Sequence, residues 1–317
     1  MAIFLRESDV EKLANMQMAL DAVEHAFRLQ GEQGAENTPR RRSRLDKGYL
    51  HVMSASVPSW GVAGLKAYAT TGGKTRFLVY LYRSSDGALI AVMEADKLGQ
   101  LRTGAASGIA TKCMARKDAG AVGIFGTGWQ ARAQLEGVCA VRPVQSVVAW
   151  SRIPENREAF CKEMTEKLGV AVQPASAPEE AAAEKQIVIT ATTAKEPVLK
   201  GEWLAKGAHI NAIGANFPDR QELDVEAVRR CACVIVDSAE QAALESGDLA
   251  HASEAGAFFW EDAQELGAVV TGQYPGREDD DEITLFKSHG IALEDVALAA
   301  KIYEAAVAAR IGEPLNL

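Results

Sequence analysis

The sequence contains no CxxC pair and no HExxH, although it has five cysteines and five histidines. Cys113, Cys139, Cys161, Cys231 and Cys233 are odd in number and irregular in spacing. That excludes a disulfide framework and the common zinc sites, so reduced, mostly buried thiols and no metal are expected. No apolar run approaches the ~20 residues of a bilayer-spanning helix. The opening MAIFLRESDV has no basic segment followed by an apolar core, so a cytoplasmic protein is expected. A net charge of −9 argues against nucleic acid as the main partner. Internal repeats and low-complexity segments are absent too. What remains is an ordinary soluble composition, 48% hydrophobic and 24% charged, long enough at 317 residues for two domains.

The most informative stretch is DAGAVGIFGTGWQARAQLEG, residues 118–137. Ala121 to Phe125 is an apolar run of strand length, and Gly126, Gly128 and Ala131 follow at GxGxxA spacing. From Trp129 the pattern turns helical. Strand, glycine turn and helix are the context that a dinucleotide fingerprint requires. Gly126 permits the tight turn, Gly128 the close approach of a pyrophosphate, and Ala131 the packing of helix on sheet; the helix N-terminus offers N–H groups to phosphates. The next strand, Val144 to Trp150, ends in Ser151-Arg152. An acidic residue there would bind ribose hydroxyls; arginine suits a ribose phosphate, pointing to NADP(H) before NAD(H), unless Arg152 merely faces solvent. Later strands, Gln186 to Ala191, Ala208 to Gly214 and Cys233 to Asp237, continue the α/β alternation. Thr190, Ala191 and Thr192 at one strand end, and Gly214 and Ala215 at the next, join Thr127 as expected cofactor contacts. Asn216 lies just past a strand end, where site residues collect.

Residues 37–94 read differently. Arg40 to Leu45, Tyr49 to Met53, Gly61 to Thr70, Phe77 to Tyr82 and Ala88 to Glu94 are strands without intervening helices, which implies an antiparallel sheet. Before them, Ser8 and Glu11 suggest a capping box opening a core-facing helix; His25 within that helix is structural. Arg40, Arg42 and Arg44 would share one strand face, solvated for the most part, with one arginine available to a carboxylate. Lys66 sits inside an apolar strand, where a lysine is either salt-bridged or functional. Asp96 to Lys112 is helical but crowded with Gly104, Ala105, Ala106 and Gly108, a composition that gives close approach to another backbone or a ligand. Arg102 and Thr103 are read at its start, where the helix dipole favours an anion. Gly290 to Arg310 is an amphipathic helix expected to return to the first domain.

LRTGAASGIATK, GIFGTGWQA, HINAIGANFPDRQELD, VDSAEQAALESGDL and EITLFKSHGIALED together resemble the ornithine cyclodeaminase/mu-crystallin family. The resemblance implies an α/β fold in which a Rossmann-type, doubly wound parallel sheet (113–288) is inserted into a mixed α+β substrate and dimerisation domain (1–112 with 289–317). It also implies a homodimer and an α-imino or α-amino acid substrate handled with NAD(P)(H), with cofactor contacts at Gly126, Gly128, Trp129, Gln130, Ala131, Ser151 and Arg152. Arg40 and Arg102 would meet the substrate carboxylate, with Arg42 the fallback for Arg40, and Lys66 would serve as proton donor or hydrogen-bond partner. Two positions depart from cyclodeaminases: Asn216 stands for an aspartate and His51 for a glutamate. Asn216 takes no proton and His51 supplies no fixed negative charge. His289, in place of an apolar residue, contacts substrate or is structural. The expected activity is therefore NADPH-dependent reduction of small α-imino acids, or the reverse dehydrogenation. The alternatives are an ornithine cyclodeaminase that recycles NAD and a non-catalytic crystallin-like binder.

Overall fold

The computed structural model describes residues 2–72 and 75–316. The chain forms two compact units, one running to Thr103 and resuming at Gly290, the other Gly104–His289. The first division falls inside the helix Asp96–Met114. The strands, in chain order, are β1 (Ala2–Leu5), β2 (Glu36–Arg44), β3 (Tyr49–Val57), β4 (Val62–Thr70), β5 (Phe77–Arg83), β6 (Leu89–Glu94), β7 (Ala121–Phe125), β8 (Ser146–Trp150), β9 (Ala171–Pro174), β10 (Ile187–Thr190), β11 (His209–Ala212), β12 (Cys231–Val236), β13 (Gln264–Glu265), β14 (Ile283–Lys287) and β15 (Glu313–Leu315).

The first unit carries a seven-stranded sheet in the order β15-β1-β6-β5-β4-β3-β2. β2 to β6 pair antiparallel, as their uninterrupted succession implies. The sheet as a whole is mixed, because β1 joins β6 in parallel and β15 closes that edge. Both added strands are three or four residues long, too short for an alternating pattern to register, and β15 contains a proline tolerated at an edge. The Ser8 capping box does not form. A helix begins instead at Glu7, with Arg6 N–H donating to Asp9 (3.1 Å), and the core-facing helix Met16–Gly31 starts afresh behind Asn15, whose side chain accepts from Met18 N–H. The helix Ala292–Ala309 lies across β2–β5 and against Met16–Gly31. Gly64 makes that possible: a Cβ there would stand 2.9 Å from Val296 Cγ2.

The second unit is an eight-stranded sheet in the order β13-β12-β14-β11-β10-β7-β8-β9, parallel throughout. Order reverses between β7 and β10, the switch point of a doubly wound fold. Its central strands are buried on both faces: Ile187 and Ile189 enter one core cluster, Val188 the other. The small-residue segment that follows Thr103 is explained by packing. A Cβ on Gly104 would strike the Ala133 carbonyl, and one on Gly137 would strike the Gly104 carbonyl, so two helix backbones cross without side chains between them. The intrinsic cost of glycine in a helix, about 1 kcal/mol each, is offset by that contact.

Candidate active site

Lys66 lies on β4 in register with Met53 and Val79, both buried, on the sheet face that Ala292–Ala309 covers. Its Nζ is 2.9 Å from Asp295 Oδ1 and 5.0 Å from the Phe77 ring centroid. Gly99 leaves space for it, since a Cβ there would sit 3.1 Å from Nζ. Arg102 donates from Nε to the same Asp295 oxygen (3.0 Å) and from Nη1 to Glu294 (2.8 Å). Gly290 (φ +73°) packs against that guanidinium, and its carbonyl accepts from Arg40 Nη2 at 2.8 Å. The structure thus gathers Arg40, Lys66 and Arg102 around Asp295 and Gly290, all buried. Three cations converge at one buried place beside the carboxylates Glu294 and Asp295, a donor set that could also take a substrate carboxylate. Asp295 Oδ2 has no hydrogen-bond partner among the described residues.

The electrostatics follow from this geometry. Burial pulls the Lys66 ammonium down to about 8, with Asp295 opposing the fall and Arg102 and Arg40 adding to it. Burial alone would lower Arg102 and raise Asp295. Their mutual attraction outweighs it, holding the guanidinium above its ordinary value and the carboxylate below.

Arg42 and Arg44 share one strand face, paired with His51 and Tyr49, but a bulge between Thr38 and Arg41 interrupts the pairing at Arg40. The expectation of a mostly solvated face is corrected there: Arg40 is buried and Arg42 half-buried, and only Arg44 is exposed. Arg102 and Thr103 are likewise not at a helix start. The helix opens at Asp96, where the Asp96 and Lys97 N–H groups donate to Glu7 (3.0 and 2.6 Å), so the dipole's anion is supplied from within the chain. Thr103 turns its hydroxyl to the Gly99 carbonyl (2.7 Å). His51 lies opposite Arg42, is 2.9 Å from Thr70 Oγ1 and stacks on Tyr68 at 4.3 Å. Burial, then Arg42 and Arg40, push it down to about 4, so its ring is neutral at pH 7.

In the second unit a cavity of about 820 Å³ opens at the switch point. Gly126, Thr127, Gly128, Ser151 and Arg152 line it on the side of β7 and β8; Ala191 and Thr192 do so past β10. Gly126 has φ +100°, its N–H donates to Trp150 (2.8 Å), and a Cβ would collide with the Ala191 carbonyl. A Cβ on Gly128, by contrast, would meet nothing within 4 Å, so this backbone is open to a ligand. Thr127 Oγ1 donates to Ser151 Oγ (3.1 Å), tying the turn to the end of β8. A turn bare at Gly128, leading into the helix Trp129–Val141, suits a pyrophosphate, and Arg152 beyond β8 suits a ribose phosphate. Trp129 is exposed on that helix's first turn, Gln130 is half-buried and Ala131 is in the core beneath. Thr190, Gly214 and Ala215 stand behind the cavity wall and give their hydrogens to Glu222. Asn216 is half-buried in the loop after β11; His289 is buried beside Asp237, whose carboxylate accepts its N–H at 2.7 Å.

The carboxylates Glu294, Asp295 and Glu222 escaped the reading of the sequence. Their signal is an acidic side chain inside an otherwise apolar or tightly packed segment, as in IALEDVALAA, the same argument that singled out Lys66.

A parallel doubly wound sheet with a glycine turn at its switch point defines a Rossmann-type nucleotide-binding unit, here interrupting the sequence of a unit with a mixed sheet. The model of the ornithine cyclodeaminase/mu-crystallin family matches residues 1–310, and the chain belongs to that family. Among solved structures it resembles the Thermococcus litoralis Δ1-pyrroline-2-carboxylate reductase in complex with NADH and L-proline, at 36% identity and TM-score 0.95, covering 99% of this chain and 100% of that one. It also resembles an archaeal alanine dehydrogenase dimer with bound NAD, at 36% identity and TM-score 0.94, covering 100% and 99%. The ketimine reductase mu-crystallin of Macropus fuliginosus is 33% identical over 95% of this chain and 96% of its own length.

Proposed function

We propose that this protein reduces small α-imino acids, cyclic imines such as pyrroline-2-carboxylate among them, to α-amino acids with NADPH, or runs the reverse dehydrogenation. It is an NAD(P)H-dependent oxidoreductase of imine and amino-acid substrates, in keeping with the activities its relatives are named for. The observation that carries the finer reading is the buried convergence of Arg40, Lys66 and Arg102. In this reading Arg40 and Arg102 bind the substrate carboxylate, and the carboxylate fixes the adjacent C=N carbon. Asp295 holds Lys66 so that its ammonium gives a hydrogen bond or a proton to the imine nitrogen. Pulled down by burial to about 8, Lys66 is charged at neutral pH yet a ready proton donor. The nicotinamide, when bound, supplies the hydride. Gly126 to Ala131 would hold the pyrophosphate, and Arg152, with no acidic residue beside it at the end of β8, favours the phosphorylated ribose of NADP(H); NAD(H) remains usable.

His51, neutral at pH 7, and Asn216 leave no fixed negative charge at the two positions where cyclodeaminases place carboxylates, which disfavours the ornithine lyase. A homodimer is supported by the sheet face opposite Ala292–Ala309, where Leu50 and Val52 are each 38% exposed.

The test is an NADPH-oxidation screen over cyclic imines and keto acid/amine pairs. Turnover with pyrroline-2-carboxylate or a close analogue is expected; ammonia and proline from ornithine without net cofactor use would instead establish the lyase. Arg152→Asp should move the NADPH/NADH ratio of kcat/KM toward NADH by about tenfold or more; an unchanged ratio refutes the NADP assignment.

A further inference from the structure

Glu222 lies in the loop after β11 and is fully buried. One carboxylate oxygen accepts from Thr192 N–H (2.7 Å) and Thr192 Oγ1 (2.8 Å); the other accepts from Thr190 Oγ1 (3.0 Å), Gly214 N–H (2.7 Å) and Ala215 N–H (3.2 Å). A single side chain therefore fastens the chain ends that leave β10 and β11. Its own backbone is held by Asp248, whose Oδ1 accepts from Glu222 N–H (2.6 Å) and Leu223 N–H (2.9 Å). Asp248 Oδ2 is 2.9 Å from Lys287 Nζ, which donates to the Ala215 carbonyl at 2.8 Å. Burial raises the Glu222 carboxyl, and the Lys287 ammonium works against that rise. The two loops have no slack: a Cβ on Gly214 would strike the Thr192 backbone.

Such an arrangement is more than a stable fold requires. Ordinary loops at strand ends satisfy their N–H groups with water or with one another, whereas these are spent on one buried charge. In a doubly wound fold each half of the sheet serves one mononucleotide half of the ligand. Gly126 to Gly128 and Arg152 belong to the half built on β7 to β9, while Thr192 and Gly214 belong to the half that begins at β10. We infer that Glu222 is a positioning residue for the nicotinamide-side half of the dinucleotide, holding Thr192, which lines the cavity, in place together with the Gly214 turn packed behind it. The inference rests on the reading of the switch-point cavity as a dinucleotide site.

The experiment is calorimetric titration of the full chain with NADPH and, separately, with 2′,5′-ADP, which carries only the adenosine half. Glu222→Gln puts an amide donor in place of one carboxylate oxygen, against two or three donors that need an acceptor. It should weaken NADPH by roughly tenfold or more and leave 2′,5′-ADP within about twofold. Thr190→Val, at a hydroxyl buried behind the cavity, removes one donor to Glu222 and introduces none. It should show the same pattern at about threefold, and it carries the test if Glu222→Gln does not fold. Equal losses on both ligands, or none on either, would overturn the role of Glu222. Wild-type protein that binds neither ligand would instead overturn the cofactor reading beneath it.

Discussion

The two units make their sites from different material. The cavity of the second unit is built largely of backbone: a turn bare of side chains at Gly126 and Gly128, an open helix end, and strand ends whose N–H groups are held by one carboxylate. The cluster of the first unit is built of side chains, with Arg40, Lys66, Arg102, Glu294 and Asp295 arriving from four separate segments of the chain. A backbone site depends on local conformation and tolerates many side chains around it. A site of buried charges depends on long-range closure of the fold, and each charge is costly unless every partner arrives.

Three predictions probe that contrast. The largest effect belongs to the side-chain site: Lys66→Ala should lower kcat by about 10²- to 10⁴-fold and leave NADPH affinity within about twofold. Parallel loss of both would mean that Lys66 serves the fold rather than the chemistry. An intermediate effect belongs to the backbone site. Gly128→Ala meets no protein atom, so its melting temperature should match wild type, yet NADPH should bind roughly tenfold more weakly because the methyl occupies the ligand's approach. A lowered melting temperature with unchanged affinity would place the ligand elsewhere. The smallest is a shift in pH. As Lys66 loses its proton above about 8, imine reduction in the wild type should decline there. Asp295 holds that ammonium up, so Asp295→Asn should move the break to lower pH; a profile that keeps its break would separate Lys66 from the proton step.

The contrast also explains what could be read from the sequence. The strand, glycine turn and helix around Gly126 are contiguous, so their period and spacing announce both fold and site. β2 to β6 were legible for the same reason, each strand being long enough to alternate. Lys66 stood out because it interrupts an apolar run. Its partner Asp295 did not, since an acidic residue in a helix's first turn is ordinarily a solvated complement to the dipole; only burial reveals its role. The bulge at Arg40 was hidden, and so was the anion that caps the helix start at Asp96. The first depends on how β2 pairs with β3, the second on Glu7 reaching the Asp96 and Lys97 amides from 89 and 90 residues away.

Gly99 carries a consequence of its own. A methyl at position 99 would stand 3.1 Å from the ammonium of Lys66, so the room for one side chain is set by what another residue does not have. Alanine at 99 would leave lysine at 66 in place but press its ammonium a few tenths of an ångström aside, toward or away from Asp295, and so would retune the acid without replacing it.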